Sequence, residues 1–297
     1  MTAARDPRPL KILCAGSLHN LLVNDLLPRF QRLTGYRCEA RAGGSRELAR
    51  LLRQGECGAD LFLSADAAVN ETELMRPEEK LGEWYLEFAT NELGLAYNPD
   101  SSVSKAIERL SREENGWQQV LVSGFRLGRP DPEADPKGYR VIFAMQLAET
   151  ELAMAGLLRL ALGPARNAKQ VYDASELTPM LRRGELDIVF SYRSQAQEEG
   201  LAFMPLPDEI NLGSLEHAAG YPKAQYRCGD GTTYQGSVIT YTGMQLSSAQ
   251  SPLAAAAFLV FLTSRQAARA CQRHGFRARQ VILRVGARDA MAGGKPA

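Results

Sequence analysis

The stretch LKILCAGS at residues 10–17 decides the fold, because an apolar strand pattern runs through Gly16-Ser17 into a helical pattern. The same order recurs where YRCEA at 36–40 is followed by Gly43-Gly44-Ser45 and a second helical pattern. A third strand-like stretch, ADLFL, occupies residues 59–63. Strands that alternate with helices are typical of parallel sheets with crossover helices. The sequence therefore predicts an α/β fold.

The alternation continues along the chain. The first helical pattern, from Leu22 to Leu33, ends at Gly35 and is expected to kink or split at Pro28. Further strands are predicted at 93–97, 187–190 and 237–241, and further helices at 139–162, at 177–183 and around Phe258. Residues 214–236 are expected to form a surface loop, with a segment that shapes a cleft as the alternative, and the tail after about Arg277 is expected to fray.

Composition excludes several classes of function. The 297 residues include 35 Lys+Arg and 34 Asp+Glu, and the resulting net charge of +1 gives no support to nucleic-acid binding. The longest apolar run, 252–262, is too short to cross a bilayer and predicts a buried helix. Residues 1–9 are polar and lack the apolar core of a secretory signal, which favours a cytoplasmic protein or a start that differs from the native precursor.

The five cysteines have no metal-binding spacing. They are Cys14, Cys38, Cys57, Cys228 and Cys271, and no CxxC pair occurs. In an oxidising compartment Cys38 and Cys57 are candidates for a disulfide, and the alternative is that they are small buried thiols.

Catalytic signatures are weak throughout the chain. Ser17 and His19 lie two residues apart, a spacing that does not define a nucleophile and its base. Asp131, Glu133 and Asp135 form an acidic cluster that fits either a carboxylate or cation site or a solvated loop, and it lacks EF-hand spacing. Four cationic residues are expected to be solvated on the surface, with sensing of an anion as the alternative. They are Arg46, Lys137, Arg140 and Arg193.

Three junctions instead point to anion binding. Gly16-Ser17 and Gly43-Gly44-Ser45 each follow a strand and open a helix, and Asp135-Pro136-Lys137-Gly138-Tyr139 precedes another helix. Helix N-termini attract anions because their first N–H groups lack intrahelical acceptors and the helix dipole adds partial positive charge. One serine before a helix is usually only a cap, and it is the combination of three junctions that favours an anion site.

Several ordered segments extend this observation. They are Gly16-Ser17-Leu18, Gly43-Gly44-Ser45, ADLFLSAD at 59–66, Trp84-Tyr85, FATN at 88–91, LAY at 95–97, GRPDP at 128–132, DPKGYR at 135–140, FSYRS at 190–194 and LPDEINLG at 206–213. Together these segments resemble the periplasmic tungstate/molybdate-binding proteins of ABC importers, above all their archaeal branch, over residues 10–275.

The resemblance implies a type II periplasmic-binding fold, in which two α/β lobes joined by hinge strands hold an oxyanion in the cleft between them. Lobe 1 would comprise 10–92 plus 242–285, and lobe 2 would comprise 97–236. Residues 93–97 and 237–241 would be the hinge strands. A ligand that contacts both lobes would favour the closed state.

The resemblance also assigns ligand contacts. Lobe 1 would supply Ser17 and Ser45, with Ser64 or Ala65 nearby, and lobe 2 would supply Asp135, Gly138, Tyr139, Ser191 and Tyr192. In the archaeal branch two carboxylates reach the metal of the oxyanion. The first corresponds to Asp135, whereas the position of the second is Ser191 in this chain. We therefore expect Ser191 to donate a hydroxyl to a tetrahedral anion and Asp135 to cap the helix, with metal coordination by Asp135 or a different oxyanion as the alternatives.

The resulting functional expectation is a non-enzymatic solute-binding protein that captures molybdate or tungstate and needs no cofactor. Its partner would be an ABC permease of the molybdate/tungstate type, its location would be periplasmic or extracellular, and it would act as a monomer. The alternatives are a cytoplasmic oxyanion sensor with the same fold and a binding protein for another oxyanion such as sulfate.

Overall fold

The computed structural model describes residues 8–76 and 78–286. In chain order the strands are β1 Leu10–Ala15, β2 Cys38–Gly43, β3 Leu61–Ser64, β4 Trp84–Thr90, β5 Leu93–Tyr97, β6 Leu127–Pro130, β7 Val171–Tyr172, β8 Ile188–Tyr192, β9 Ala202–Pro205, β10 Gln225–Arg227, β11 Thr233–Gln235, β12 Thr240–Gln245 and β13 Arg277–Val285.

The helices alternate with these strands. They are α1 His19–Leu21, α2 Leu27–Thr34, α3 Ser45–Arg53, α4 Ala67–Val69, α5 Ser104–Ser111, α6 Gly116–Val122, α7 Pro136–Glu151, α8 Leu157–Leu162, α9 Leu177–Arg182, α10 Arg193–Glu198, α11 Pro252–Leu262 and α12 Arg265–Arg273. Gly16–Leu18 and Tyr221–Lys223 form 3₁₀ turns, and Leu22–Leu26 and Asn70–Met75 form π-helical turns. The predicted α/β class is confirmed.

The chain divides into two compact units. Unit 1 takes the described residues up to Ala89, Thr240–Ala270 and those from Arg279, whereas unit 2 takes Thr90–Ile239 and Cys271–Ala278. The predicted hinge segment 93–97 is β5, which lies wholly in unit 2. The lobe boundaries and the hinge role remain predictions.

Unit 1 is built on a six-stranded sheet of order β13-β4-β12-β3-β1-β2. As predicted, β1 runs parallel to both β2 and β3, and β12 joins β3 in the antiparallel sense. Phe30 of α2 contacts Phe258 of α11 edge to face, with ring centroids 5.1 Å apart, in the apolar layer of this unit. The run 252–262 forms the predicted helix and buries Phe258, although it leaves Leu253 and Val260 exposed.

Unit 2 is built on a five-stranded sheet of order β7-β6-β8-β5-β9. Here β6 and β8 run parallel, whereas β5 is antiparallel to both β8 and β9. A buried cluster of Leu177, Leu181, Leu186, Val189 and Leu201 packs α9 against the sheet. This packing leaves the loop before α7 and the end of β8 free to carry polar side chains.

The structure corrects the bounds of one predicted helix and one predicted strand. The helix predicted over 139–162 is two helices, α7 and α8, because Ala153 and Gly156 adopt left-handed backbone angles (φ 55° and 80°) that interrupt the α-helix. The strand predicted at 237–241 is β12 and starts three residues later, at Thr240.

The predicted surface loop and frayed tail also contain regular structure. Residues 225–227 and 233–235 pair as the antiparallel β10–β11 hairpin, whose Tyr234 is buried. Residues 277–285 form β13, since Arg279 and Arg284 both pair with the buried Glu87 of β4. The rest of the predicted tail, from 287, lies outside the described residues. Among the described residues, every helix is too short or too polar to cross a membrane.

Candidate functional site

The strand register of unit 1 brings three serines to one edge of its sheet. Ala15 pairs with Gly43, and Cys14 pairs with Leu63, so β1, β2 and β3 end at the same level. Ser17, Ser45 and Ser64 therefore lie at the carboxyl edge of three neighbouring strands. This edge is where ligands bind in open α/β sheets.

Ser45 presents both a hydroxyl and a main-chain donor. It is the first residue of α3, where the N–H group has no intrahelical acceptor, and it is 1% exposed. Its Oγ accepts a hydrogen bond from the Ala65 N–H at 3.1 Å. Gly44, and not Ser45, occupies the N-cap position of α3.

The Ser17 side-chain oxygen, like that of Ser45, accepts a hydrogen bond. The hydroxyl of the buried Tyr241 donates to Ser17 Oγ at 3.0 Å. Ser17 lies in the 3₁₀ turn that follows β1, and its side chain does not cap the helix that comes next. We call Ser17 and Ser45 the hydroxyl set, because each oxygen already accepts a hydrogen bond and is left to act as a donor.

Ser64 differs from these two serines. Its hydroxyl donates to the Asp66 carbonyl at 2.8 Å and accepts the Asp66 N–H at 3.0 Å. The Asp66 carboxylate in turn caps α4 by accepting the Ala68 N–H. Ser64 therefore stabilises its own turn, and Ala65 contributes to the site through the bond it gives Ser45.

In unit 2, Asp135 is the N-cap of α7. Its Oδ1 accepts the Lys137 N–H at 2.7 Å and its carbonyl accepts the Gly138 N–H at 2.9 Å. The turn therefore satisfies these two N–H groups within itself. A Cβ at Gly138 would lie 2.6 Å from Pro132 N, so close packing on the preceding loop requires glycine there.

The structure corrects the expectation that the neighbouring cations are solvated. Lys137 is 4% exposed and Arg140 is 1% exposed. Lys137 Nζ donates to Gln195 Oε1 at 2.7 Å, and Arg140 Nη1 donates to the Tyr192 hydroxyl at 2.7 Å. Both cations lie within 6 Å of the Tyr192 ring centroid, at 5.7 and 5.9 Å. We call Asp135, Lys137 and Arg140 the charged set.

Burial lowers the pKa of the Lys137 ammonium, while the nearby carboxylates of Asp135 and Glu199 act in the opposite direction. The amide of Gln195 connects two of these groups, because it accepts from Lys137 and donates to Glu199 Oε1 at 3.0 Å. Gln195 was not identified from the sequence; it lies 58 residues from Lys137, and no local pattern signals the pairing.

The remaining predicted contacts of unit 2 are buried. Ser191 is 3% exposed, and its hydroxyl donates to the Tyr192 carbonyl at 3.3 Å. Tyr139 stacks on Tyr234 of the β10–β11 hairpin, with ring centroids 4.7 Å apart and an interplanar angle of 7°. The hairpin thus covers the first turns of α7, where the sequence predicted only a surface loop.

The other two cations and one histidine have structural partners. Arg46 is buried and pairs with Glu73 at 3.3 Å, so it is not solvated either. Arg193 is half-buried, pairs with the buried Glu92 and lies over the Phe203 ring at 4.8 Å. His274 contacts Glu198 at 2.7 Å.

The acidic loop before α7 is neither a solvated loop nor a metal cluster. Arg166 pairs with Asp131 at 2.7 Å, and the Tyr226 hydroxyl donates to Glu133 at 2.7 Å. Burial and the Glu133 carboxylate both raise the pKa of Tyr226. Within residues 8–76 and 78–286, no group of three or more His, Cys, Asp or Glu side chains is arranged to hold a metal ion.

Two further candidates from the sequence are resolved by geometry. The Ser17 hydroxyl is bonded to Tyr241, and the structure gives no hydrogen bond between it and His19 within the described part of the chain. Cys38 and Cys57 are thiols and form no disulfide with each other, and burial raises the pKa of Cys38 to about 12.

Comparison with known proteins identifies the fold. A family model described as bacterial extracellular solute-binding protein matches residues 10–277. The periplasmic molybdate-binding protein of Azotobacter vinelandii superposes with a TM-score of 0.61 at 15% identity, over 91% of this chain and all of that one. A sulfate-binding protein of Mycobacterium tuberculosis gives 0.60 at 13% identity, over 91% and 86%. The fold is therefore that of the two-lobed periplasmic binding proteins.

Curated relatives give the same result at the level of sequence. A Haloferax volcanii protein named for molybdenum binding in an ABC transporter is 33% identical over 78% of this chain and 70% of its own length. A Thermococcus kodakarensis molybdate/tungstate-binding protein is 27% identical over 74% of this chain and 67% of its own. The resemblance inferred from the segments between residues 10 and 275 is confirmed.

Proposed function

Because the chain belongs to the bacterial extracellular solute-binding protein family, we propose that it binds a tetrahedral dianionic oxyanion, molybdate or tungstate. The names of the Haloferax and Thermococcus relatives support this choice of ligand. The site residues themselves rest on the family resemblance and on the chemistry of their side chains.

The observation that carries the proposal is the polarity of the hydroxyl set. Ser45 Oγ accepts from the Ala65 N–H, and Ser17 Oγ accepts from the Tyr241 hydroxyl. Each serine can still donate its own proton, because accepting a hydrogen bond uses a lone pair of the oxygen and not its O–H. Fully deprotonated oxyanions only accept hydrogen bonds, so this arrangement suits them and disfavours a protonated anion, whose own proton would face a donor.

Neutral donors are sufficient for such a ligand. Hydrogen bonds to a charged group contribute about 1.5–3 kcal/mol each, so a small number of them replaces much of the hydration shell. The buried Ser45 supplies both an O–H and a helix N-terminal N–H. The N-terminus of α3 adds the favourable end of its dipole.

The family resemblance extends the proposal to unit 2, whose Asp135, Gly138, Tyr139, Ser191 and Tyr192 are expected near the anion. We propose that the anion stays tetrahedral, because Ser191 stands where the archaeal branch has its second carboxylate and cannot replace that carboxylate as a metal ligand. The capping role of Asp135 supports this, since its Oδ1 is already bonded to the Lys137 N–H.

The transport role follows from the family. We propose that the protein delivers its ligand to an ABC permease from the periplasmic or extracellular side, that it acts as a monomer and that it does not turn its ligand over. The Ser17 oxygen accepts a hydrogen bond from the Tyr241 hydroxyl, and this supports a binding role, because a serine nucleophile is activated by a base that accepts its proton.

Isothermal titration of the dialysed protein with molybdate, tungstate, sulfate and phosphate tests the proposal. We expect one-to-one binding of molybdate and tungstate, with sulfate weaker by about a hundredfold, or roughly 2.7 kcal/mol. A preference for sulfate would keep the fold and change the ligand. The absence of heat with all four anions would contradict the proposal.

A further inference from the structure

We propose that Lys137 is a specificity-determining residue of this site, whose buried ammonium favours a dianionic over a monoanionic tetrahedral ligand. The inference rests on the proposed function. It adds a positively charged donor to a set of proposed contacts whose other hydrogen-bond donors are neutral. It is carried by the position, the burial and the unmatched hydrogen-bonding capacity of this one side chain.

The position of Lys137 places its charge at the expected contact region of unit 2. It is the second residue of α7 and directly follows the Asp135-Pro136 turn. Its Nζ lies 5.7 Å from the ring centroid of Tyr192, which is itself an expected ligand contact. The bond to Gln195 holds the ammonium beside the end of β8 and the first turn of α10.

The hydrogen-bonding capacity of Lys137 exceeds what surrounds it. An ammonium has three N–H donors, and within the described residues the only acceptor it contacts is Gln195 Oε1. The main-chain N–H groups of Lys137 and Gly138 already donate to Asp135. Two of the three ammonium N–H groups are therefore without an acceptor among the described residues, and we infer that they serve an anion.

The charge of Lys137 is compensated only at a distance, by the carboxylates of Asp135 and Glu199. Within the described part of the chain it makes no ion pair, and Glu199 is reached only through the amide of Gln195. The Asp135 carboxylate lies two residues away and is engaged as a helix cap. A buried charge without a close partner is destabilising, and an anionic ligand supplies that partner.

Perrhenate provides the probe, because it has the tetrahedral shape of tungstate and one negative charge in place of two. Titrations with both anions are made on the unaltered protein, on Lys137→Met and on Lys137→Gln. The matched control is Lys105→Met, which removes an exposed lysine of α5 in the same unit. Thermal unfolding of each variant reports whether it is folded.

We expect the unaltered protein to bind tungstate about a hundredfold more tightly than perrhenate. Both Lys137 variants should reduce that ratio at least tenfold, which is about 1.4 kcal/mol, and Lys105→Met should leave it unchanged. Equal affinities for the two anions in the unaltered protein, or an unchanged ratio in a folded Lys137 variant, would overturn the inference. If the unaltered protein binds neither anion, it is the proposed function that fails.

Discussion

The hydroxyl set of unit 1 and the charged set of unit 2 occupy equivalent places in their sheets and differ in chemistry. Ser17 and Ser45 follow β1 and β2 and carry no charge, and each accepts a hydrogen bond from a neutral neighbour. Lys137 and Arg140 lie in the first turns of the helix that follows β6, and both are buried cations. The same strand-to-helix junction thus carries neutral hydroxyls in unit 1 and buried cations in unit 2.

The difference shows what each set is able to select. Hydroxyls fixed as donors distinguish a bare oxyanion from a protonated one, because the proton of the latter meets a donor. Buried cations distinguish anions by total charge, since Coulomb energy scales with that charge. Under the proposed function, hydrogen-bond polarity is therefore assigned to Ser17 and Ser45, and charge is assigned to Lys137.

The largest effect is expected from removing the hydroxyl set. Ser17→Ala combined with Ser45→Ala deletes two donors to a charged ligand, and tungstate affinity should fall at least a hundredfold, or about 2.7 kcal/mol. Titration calorimetry measures the loss. Ser64→Ala is the matched control, because the Ser64 hydroxyl already donates to the Asp66 carbonyl. Equal losses in the control and the double variant would contradict the assignment of Ser17 and Ser45.

The next effect compares two tyrosine hydroxyls. Tyr192→Phe takes an acceptor from the buried Arg140 guanidinium and should destabilise the protein by about 2 kcal/mol, the value for a hydrogen bond to a charged group. Tyr241→Phe takes a donor from the neutral Ser17 and should cost about 1 kcal/mol or less. Urea unfolding measures both. A larger loss for Tyr241→Phe would reverse the comparison of the two sets.

Asp135→Asn tests whether the charged set includes a metal ligand. Asparagine caps helices as well as aspartate, so stability should change little. Removing the carboxylate should strengthen tungstate binding, and the repulsion removed is about 1.4 kcal/mol for a unit charge and a dianion ~6 Å apart in a water-like dielectric. Titration of the variant measures the change. A tenfold weaker affinity would show instead that Asp135 coordinates the metal.

The smallest effect concerns a charge at the opposite end of β8. Burial alone would raise the pKa of the Asp187 carboxyl. The hydrogen bonds and the ion pair with Arg126 together lower that pKa by more than burial raises it, so the net shift is downward. The stability that this carboxylate contributes is therefore present above its unfolded-state pKa and is lost as the pH falls through the folded-state value.

Asp187→Asn should accordingly flatten the decrease in stability between about pH 5 and pH 2 by less than 1 kcal/mol, because Arg126 is exposed. Thermal unfolding across that range measures it. Tungstate affinity at pH 7 should be unchanged, since Asp187 precedes β8 and the expected contacts Ser191 and Tyr192 end it. An altered affinity would mean that distant charges also tune the site.

The local hydrophobic pattern of the sequence was sufficient to predict the strands and helices that carry the candidate site. The strands before Gly16 and Gly44, and the helical spacing after them, predict parallel strands that end at one edge, and the register of β1 with β2 and β3 confirms this. Side-chain type then singled out Ser17 and Ser45. What these hydroxyls accept was not predictable, because Tyr241 lies 224 residues from Ser17.

Burial of charge was the main error. Lys137 and Arg140 were expected in solvent, as lysine and arginine usually are. Their acceptors, Gln195 and Tyr192, lie 58 and 52 residues away, and only the parallel pairing of β6 with β8 brings them near α7. Partners distant in sequence also account for the missed strand β13, because its Arg284 pairs with Glu87, 197 residues earlier in the chain.

The most direct test of the division between the two sets is to measure tungstate and perrhenate affinities on Ser45→Ala and Lys137→Met side by side. The account predicts that Ser45→Ala weakens both anions and changes their affinity ratio less than about threefold, whereas Lys137→Met lowers the ratio at least tenfold, about 1.4 kcal/mol. Equal changes in the affinity ratio for the two variants would contradict the account, because Ser45 and Lys137 would then contribute equally to discrimination by charge.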